Sequence, residues 1–248
     1  MIGTIRAELT KIRSARLVYG LAGGSVALVL LQIWAISVAL GRVAGEGRVR
    51  ARFVGLTTGR FVELGANALL FALALGIITM AGEFRHRTAD QTYLVTPSRA
   101  QVLLAKVVTV FGVSVAIAAL TEAVLFALGL PVLAAKGVHL TFDARGWLNL
   151  AGALFFIGGC GVLGVAVGAI IRHQVGALIG ALAWVIVAEQ LVININRSVG
   201  KFLTVGLLNS LVSTPGFLAR WEGALLLVGY LAVLGVTGAV VLDRTDIT

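Results

Sequence analysis

The stretch "GEFRHRTADQTYLVTPSRAQVLLAK" (82–106) lies between two strongly apolar runs and determines how the rest of the chain is organised. It is the longest polar interruption between such runs, although only 12% of all residues are charged. Its charged residues and its one histidine are Glu83, Arg85, His86, Arg87, Asp90, Arg99 and Lys106. We expect a polar segment of this kind to connect two membrane-spanning helices on one side of a bilayer.

The composition is typical of an integral membrane protein. Of the 248 residues, 59% are hydrophobic, and the charged fraction is about half of the roughly 25% common in soluble domains. The net charge of +9 lies in short loops without interleaved aromatic residues, which favours contact with anionic lipid headgroups over nucleic acid. A single cysteine, Cys160, cannot form an intrachain disulfide.

Six apolar stretches are long enough to cross a bilayer as helices, which requires about 20 residues each. They are continuous rather than alternating, which excludes a barrel pattern. The predicted spans are 17–40, 61–82, 102–130, 148–171, 174–194 and 223–242. The glycine-rich run 158–168 predicts close helix packing, either as a moving interface or as ordinary packing.

Two shorter elements complete the predicted fold. Ile2, Ile5, Leu9 and Ile12 recur at three- and four-residue steps, which predicts an amphipathic helix over 1–16 that lies in the membrane surface. The apolar segment 202–212 is too short to cross and is predicted to be re-entrant or interfacial. The expected fold is therefore a single all-α integral membrane domain with six transmembrane helices, an interfacial helix and a re-entrant segment before the last span.

Charge counting leaves the orientation open. Six spans place both termini on one side, but lysine and arginine residues divide equally between the two sides, so the positive-inside rule does not choose. The tie arises from Arg48, Arg50 and Arg52, which we interpret as a headgroup contact, with an anionic substrate or a partner as alternatives.

Residues 82–106 contain two helix-start patterns. Thr88–Gln91 and Ser98–Gln101 both match the capping box, and Pro97 cannot continue a helix that precedes it. These features predict a short helix over 89–95, a break at 96–98 and a long helix from Arg99 to about Leu130. A helix of that length measures about 48 Å, which exceeds the hydrocarbon core, so its first turns should project from the membrane.

Residues 77–106 resemble the segment that joins the second and third spans in permease subunits of type-2 ATP-binding-cassette transporters. The matching positions are Thr79, Glu83, Thr88, Leu94, Pro97, Arg99 and Lys106. The chain departs from the family at Arg87, where many members have glycine. The start "ELTKIRSAR" (8–16) is similar to the N-terminal interfacial helix of the same family.

This resemblance implies a subunit of an exporter in the cell membrane, with both termini in the cytoplasm. Residues 83–98 would form a coupling helix that docks on a separate cytoplasmic ATPase. The implied coupling residues are Glu83, Phe84, Arg85, Arg87, Thr88, Leu94, Pro97 and Arg99. The transporter would contain two ATPases and a second permease, either an identical copy or a close paralogue.

The chain itself is not expected to be an enzyme. It contains no Gly-x-x-x-x-Gly-Lys-[Ser/Thr] motif, so ATP and magnesium would be bound by the partner ATPase. His86, His139 and His173 fall in separate loops and indicate no metal site, and no catalytic triad or paired-carboxylate site is identifiable. The apolar composition favours a hydrophobic or amphipathic cargo, such as an antibiotic, a drug or a lipid-like molecule.

Two carboxylates lie within predicted spans, Glu122 in the third and Glu189 in the fifth. Because a carboxylate in hydrocarbon is costly, each is a candidate substrate-pathway residue, with structural hydrogen bonding as the alternative. They also support an alternative function, in which the protein is a secondary transporter or channel coupled to an ion gradient. A third interpretation is a membrane scaffold or immunity protein that transports nothing.

Overall fold

The computed structural model describes residues 2–14, 16–42, 57–85, 99–171, 173–212 and 217–244, and these ranges form helices without any strand. The predicted helix at 89–95 and the break at 96–98 lie outside the described residues. The helices are α1 (Ile2–Ser14), α2 (Arg16–Arg42), α3 (Thr58–Gly65, a 3₁₀ turn Ala66–Ala68, and Leu69–Arg85), α4 (Arg99–Val124, a π turn Leu125–Gly129, and Leu130–Ala135), α5 (Ala144–Ile171), α6 (Gln174–Ala183, a π turn Trp184–Ala188, and Glu189–Ile195), α7 (Arg197–Gly200), α8 (Thr204–Leu211) and α9 (Arg220–Arg244).

Six of these helices, α2, α3, α4, α5, α6 and α9, are long and apolar enough to cross a membrane. All six predicted spans fall inside them, which confirms the all-α membrane fold class. The agreement follows from a strong constraint, since a spanning helix must present about 20 apolar residues in one run.

The third spanning helix extends beyond the predicted end near Leu130. Helix α4 starts at Arg99 as predicted, but it continues across Pro131 to Ala135. Proline lacks an N–H group and usually interrupts a helix. Here the π turn Leu125–Gly129 immediately precedes it, and Pro131 occupies the first turn of the following helical piece, where the missing N–H is tolerated.

Helix α5 forms the centre of the bundle and packs closely against α3 through glycines. A Cβ atom on Gly76 would overlap the carbonyl oxygen of Gly161, and one on Gly164 would overlap the carbonyl oxygen of Leu73. The absence of side chains therefore lets the two backbones touch, as the glycine-rich run predicts. The core around this contact includes the fully buried Phe156.

Side-chain contacts show how the helices alternate between the two ends of the bundle. At one end, Lys106 near the start of α4 contacts Glu83 at the end of α3 and Glu8 of α1. At the other, Arg220 Nη2 at the start of α9 donates a 2.6 Å hydrogen bond to Asn149 Oδ1 near the start of α5. We call the first the terminal end, because α1 lies there and α9 runs towards it, and the second the opposite end.

Candidate functional site

Four charged side chains meet at the terminal end, and we call Glu8, Lys11, Glu83 and Lys106 the charge cluster. Lys106 Nζ lies 2.7 Å from Glu8 Oε2 and 2.9 Å from Glu83 Oε1. Lys11 Nζ lies 2.8 Å from Glu8 Oε1 and 3.3 Å from Glu83 Oε1. The formal charges of the four residues sum to zero, so the cluster places no net charge at the edge of the apolar bundle, and each ion has a partner that offsets part of its desolvation penalty.

The two inner members of the cluster are unusually buried. The side chains of Glu8 and Lys106 are each 3% exposed, and that of Glu83 is 12% exposed, whereas that of Lys11 is 47% exposed. Lysine and glutamate are almost never this buried unless they are paired. The Glu8–Lys106 contact is therefore the part of the cluster with the largest energetic consequence.

Two members of the cluster, Glu8 and Lys11, keep their charges across neutral pH. Burial would raise the pKa of Glu8, but attraction and hydrogen bonding by Lys106, with a further contribution from Lys11, hold that pKa below its ordinary value of 4.5. Burial would lower the pKa of Lys11, but its hydrogen bond to Glu8 and the attraction of Glu83 raise it above 10.5. Both partners thus stabilise each other in the ionised form.

The charge cluster connects residues of three different helices. Glu8 lies on α1, Glu83 in the last turn of α3, and Lys106 two turns into α4. The predicted coupling segment, 83–98, includes the last turn of α3 and the residues that connect α3 to α4. The charge cluster therefore ties α1 to the two helices that flank this segment.

The family resemblance predicted Glu83 as a site residue, but the sequence analysis missed the roles of Glu8 and Lys11. The predicted apolar stripe on α1 is only partly correct, since Ile12 is buried while Leu9 is 45% exposed. Glu8 lies four residues before Ile12, so both project from one helical face. The sequence did contain a signal for the buried Glu8. Its carboxylate lies between apolar residues on the apolar face of the helix.

The structure places some of the other predicted coupling residues and leaves the rest undescribed. Phe84 is half-buried, and the exposed Arg85 donates a 3.3 Å hydrogen bond from Nη1 to Gln174 Oε1 at the start of α6. Both residues line a cavity of about 390 Å³ together with His173. Arg99 is the first residue of α4. Four predicted coupling residues, Arg87, Thr88, Leu94 and Pro97, lie outside the described residues.

Glu122 is buried in the membrane-spanning part of α4, with 2% of its surface exposed. Neither of its carboxyl oxygens has a hydrogen-bond partner among the described residues. Gly65 makes room for this side chain, since a Cβ there would lie 2.5 Å from Glu122 Cδ. The 3₁₀ turn Ala66–Ala68 begins at the next residue of α3. Mid-helix 3₁₀ turns often mark hinges, and the Glu122 carboxyl lies directly beside this one.

Glu189 is fully buried as well, but its carboxylate has two donors. Trp184 Nε1 donates to Oε1 at 2.9 Å across the π turn, and the Val205 backbone N–H donates to Oε2 at 2.7 Å. Val205 belongs to the first turn of α8, where a negative charge is favoured by the helix dipole. Its position therefore offers a structural role, anchoring the predicted re-entrant segment.

The other end of α8 carries the complementary charge. Arg220 Nε donates a 3.1 Å hydrogen bond to the carbonyl oxygen of Leu211, and Leu211 is the last residue of α8. A carboxylate at the first turn and a guanidinium at the last turn both interact favourably with the helix dipole. Together with burial of one face, including Leu207 and Leu208, these contacts fix the short helix inside the protein.

Comparison with models of known protein families finds no match for this chain, and comparison with curated proteins finds none either. Within the described ranges, no three His, Cys, Asp or Glu side chains are grouped so that they could hold a metal ion. The class of protein follows from the six helices that are long and apolar enough to cross a membrane: a polytopic α-helical membrane protein.

Proposed function

We propose that this protein is the membrane-spanning subunit of an ATP-driven exporter of the type-2 ATP-binding-cassette class. The observation that carries the proposal is the buried Lys106, which bridges Glu8 of α1 and Glu83 of α3. Such a bridge joins the N-terminal helix and both helical arms of the segment 83–98 into one unit. A segment that receives force from a partner requires this kind of rigid attachment.

The mechanism follows from that attachment. Closure of an ATPase pair on the segment 83–98 would displace the end of α3 and the start of α4, and the charge cluster would move α1 with them. Displacement of α3 reaches the middle of the bundle, because α3 packs directly on the central helix α5 through Gly76 and Gly164. The packed core transmits such movements as discrete rearrangements rather than gradual deformation.

The remaining features of the proposal concern partners and location. ATP and magnesium would be bound by two copies of a cytoplasmic ATPase, and a second permease would complete the pathway across the cell membrane. The terminal end would face the cytoplasm. The cargo would be hydrophobic or amphipathic, with Glu122 and Glu189 as candidate pathway residues.

Charge reversal at the coupling segment tests this proposal. The chain is reconstituted in vesicles with the ATP-binding-cassette ATPase of its own organism, and ATP hydrolysis and cargo export are measured together. Arg85→Glu with Arg87→Glu should lower export per ATP hydrolysed by about tenfold or more. Arg145→Glu is the matched control, since Arg145 is exposed like Arg85 but lies at the opposite end. Unchanged coupling in the double variant contradicts the proposal.

One observation favours the second candidate function, a transporter driven by an ion gradient. Glu122 is a buried carboxyl without a partner among the described residues, and ion-coupled carriers use such groups to bind a cation within the membrane. Transport that persists without ATP hydrolysis, collapses when the proton gradient is dissipated, and is abolished by Glu122→Gln would establish this alternative. Glu189 supports it less, because both of its oxygens already accept hydrogen bonds.

A further inference from the structure

A groove of about 450 Å³ opens beside the charge cluster, between α1, the start of α2 and the end of α3. This volume lies within the range of small-molecule binding sites, about 300 to 1,000 Å³. Its lining includes charged side chains, among them Lys11 and Glu83, and apolar side chains, among them Leu17 and Ile78.

The charged and apolar lining residues on α3 lie at different depths. Ile78 precedes Glu83 in α3 by more than one helical turn, and α3 ends at Arg85 at the terminal end, so Ile78 lies deeper in the bundle. Leu17 lies just inside α2, where the first apolar span begins. The groove therefore runs from the boundary with water into the apolar layer, as a phospholipid headgroup and its first acyl carbons do.

We propose that this groove is a binding site for a zwitterionic phospholipid with a primary amine headgroup, that is, one of the phosphatidylethanolamine type. Neutrality is the first reason. The charge cluster already sums to zero, so a ligand with a net charge would leave an uncompensated charge in a partly buried site, whereas a zwitterion would not.

Hydrogen-bonding capacity is the second reason. Glu83 Oε1 accepts from both lysines, but Oε2 accepts no hydrogen bond from any described residue. A primary ammonium has N–H groups to donate to this oxygen, whereas the quaternary ammonium of a choline headgroup has none. Lys11, with 47% of its side chain exposed, attracts the phosphate, and Gln174 Nε2 is a second donor in the groove lining.

The experiment uses the full chain, purified in a mild detergent and incubated with lipids that differ only in headgroup. Native mass spectrometry then counts the lipid molecules that remain bound. Phosphatidylethanolamine should be retained about tenfold more strongly than phosphatidylcholine or phosphatidylglycerol with the same acyl chains, which is the effect of one charge-assisted hydrogen bond. Equal retention of the amine and choline lipids overturns the proposal without any variant.

A pair of glycine variants locates the site. Gly82 lines the groove, and a Cβ added there meets no atom within 4 Å. Gly82→Leu should therefore fill the groove, and its Cβ atom causes no clash. Gly20 on α2 is equally open but is outside the groove lining, so Gly20→Leu is the matched control. Gly82→Leu should lose the amine-lipid preference and Gly20→Leu should keep it. If Gly82→Leu retains the lipid like the natural protein, the site lies elsewhere.

Discussion

Replacing Lys106 by methionine should destabilise the protein far more than the same change at Lys11. Lys106→Met keeps the length of the side chain but removes the ammonium that holds Glu8 at 2.7 Å and Glu83 at 2.9 Å. Among the described residues, Glu8, 3% exposed, is then left with only the peripheral Lys11 as an ion-pair partner. Removing one member of a buried ion pair costs about 3–5 kcal/mol, because the remaining charge stays desolvated.

The matched variant Lys11→Met removes a cation from the same cluster at its exposed edge. The Lys11 side chain is 47% exposed, so water already screens its interactions with Glu8 and Glu83. Partly exposed ion pairs contribute roughly 0–1 kcal/mol. The two substitutions are chemically identical, and the expected difference between them of at least about 2 kcal/mol therefore reports mainly the difference in burial.

The assay is unfolding of the purified chain in mixed micelles with increasing denaturing detergent, followed by circular dichroism. Glu8→Gln in the Lys106→Met background should recover part of the lost stability, because it removes the orphaned charge. The reasoning is refuted if Lys106→Met costs no more than Lys11→Met, or if Glu8→Gln makes the Lys106 variant less stable still.

Three further predictions concern pH, the anchor of α8 and helix packing. The pKa of Glu8 in the folded protein lies below 4.5, so its contribution is complete above pH 4.5 and is lost as the pH falls through the folded-state value; the stability difference between the natural protein and Glu8→Gln should stay constant from about pH 7 to about pH 5 and shrink as the pH falls below 4.5. Glu189→Ala leaves the Val205 N–H without its acceptor and should cost about 1–3 kcal/mol, measured by the same unfolding assay, while Glu189→Gln should cost less. Gly76→Ala overlaps a backbone carbonyl of α5 and should lower stability by about 1–3 kcal/mol, whereas Gly20→Ala, which meets open space, should be neutral or stabilising; equal effects would contradict the packing.

The six spanning helices were predictable because lipid imposes a simple rule. Each crossing needs a long apolar run with its backbone hydrogen bonds satisfied internally, and the run is visible in the sequence. The end of α4 was harder to predict from the sequence, since Pro131 normally indicates a break and the π turn that accommodates it leaves no clear sequence pattern.

The candidate site was predictable only in part. Lys106 and Glu83 stood out as matches to a family pattern, but their mutual contact depends on how α3 and α4 pack. Glu8 was overlooked because a charge on an amphipathic helix is expected to face water, and only packing of α1 on α4 buries it. Glu189 differs from Glu122 for a similar reason, since its donors come from the distant residue Val205 as well as the neighbouring Trp184.

The central claim, that the segment between α3 and α4 docks on an ATPase, is tested most directly by cross-linking in cells of the source organism. A photoreactive amino acid is introduced at Tyr93, within the predicted short helix, and in a separate variant at His139, which is exposed at the opposite end. The proposal predicts an adduct at position 93 that mass spectrometry identifies as an ATP-binding-cassette ATPase, and none at position 139. Absence of an ATPase adduct at position 93, or an equal yield at both positions, would contradict it.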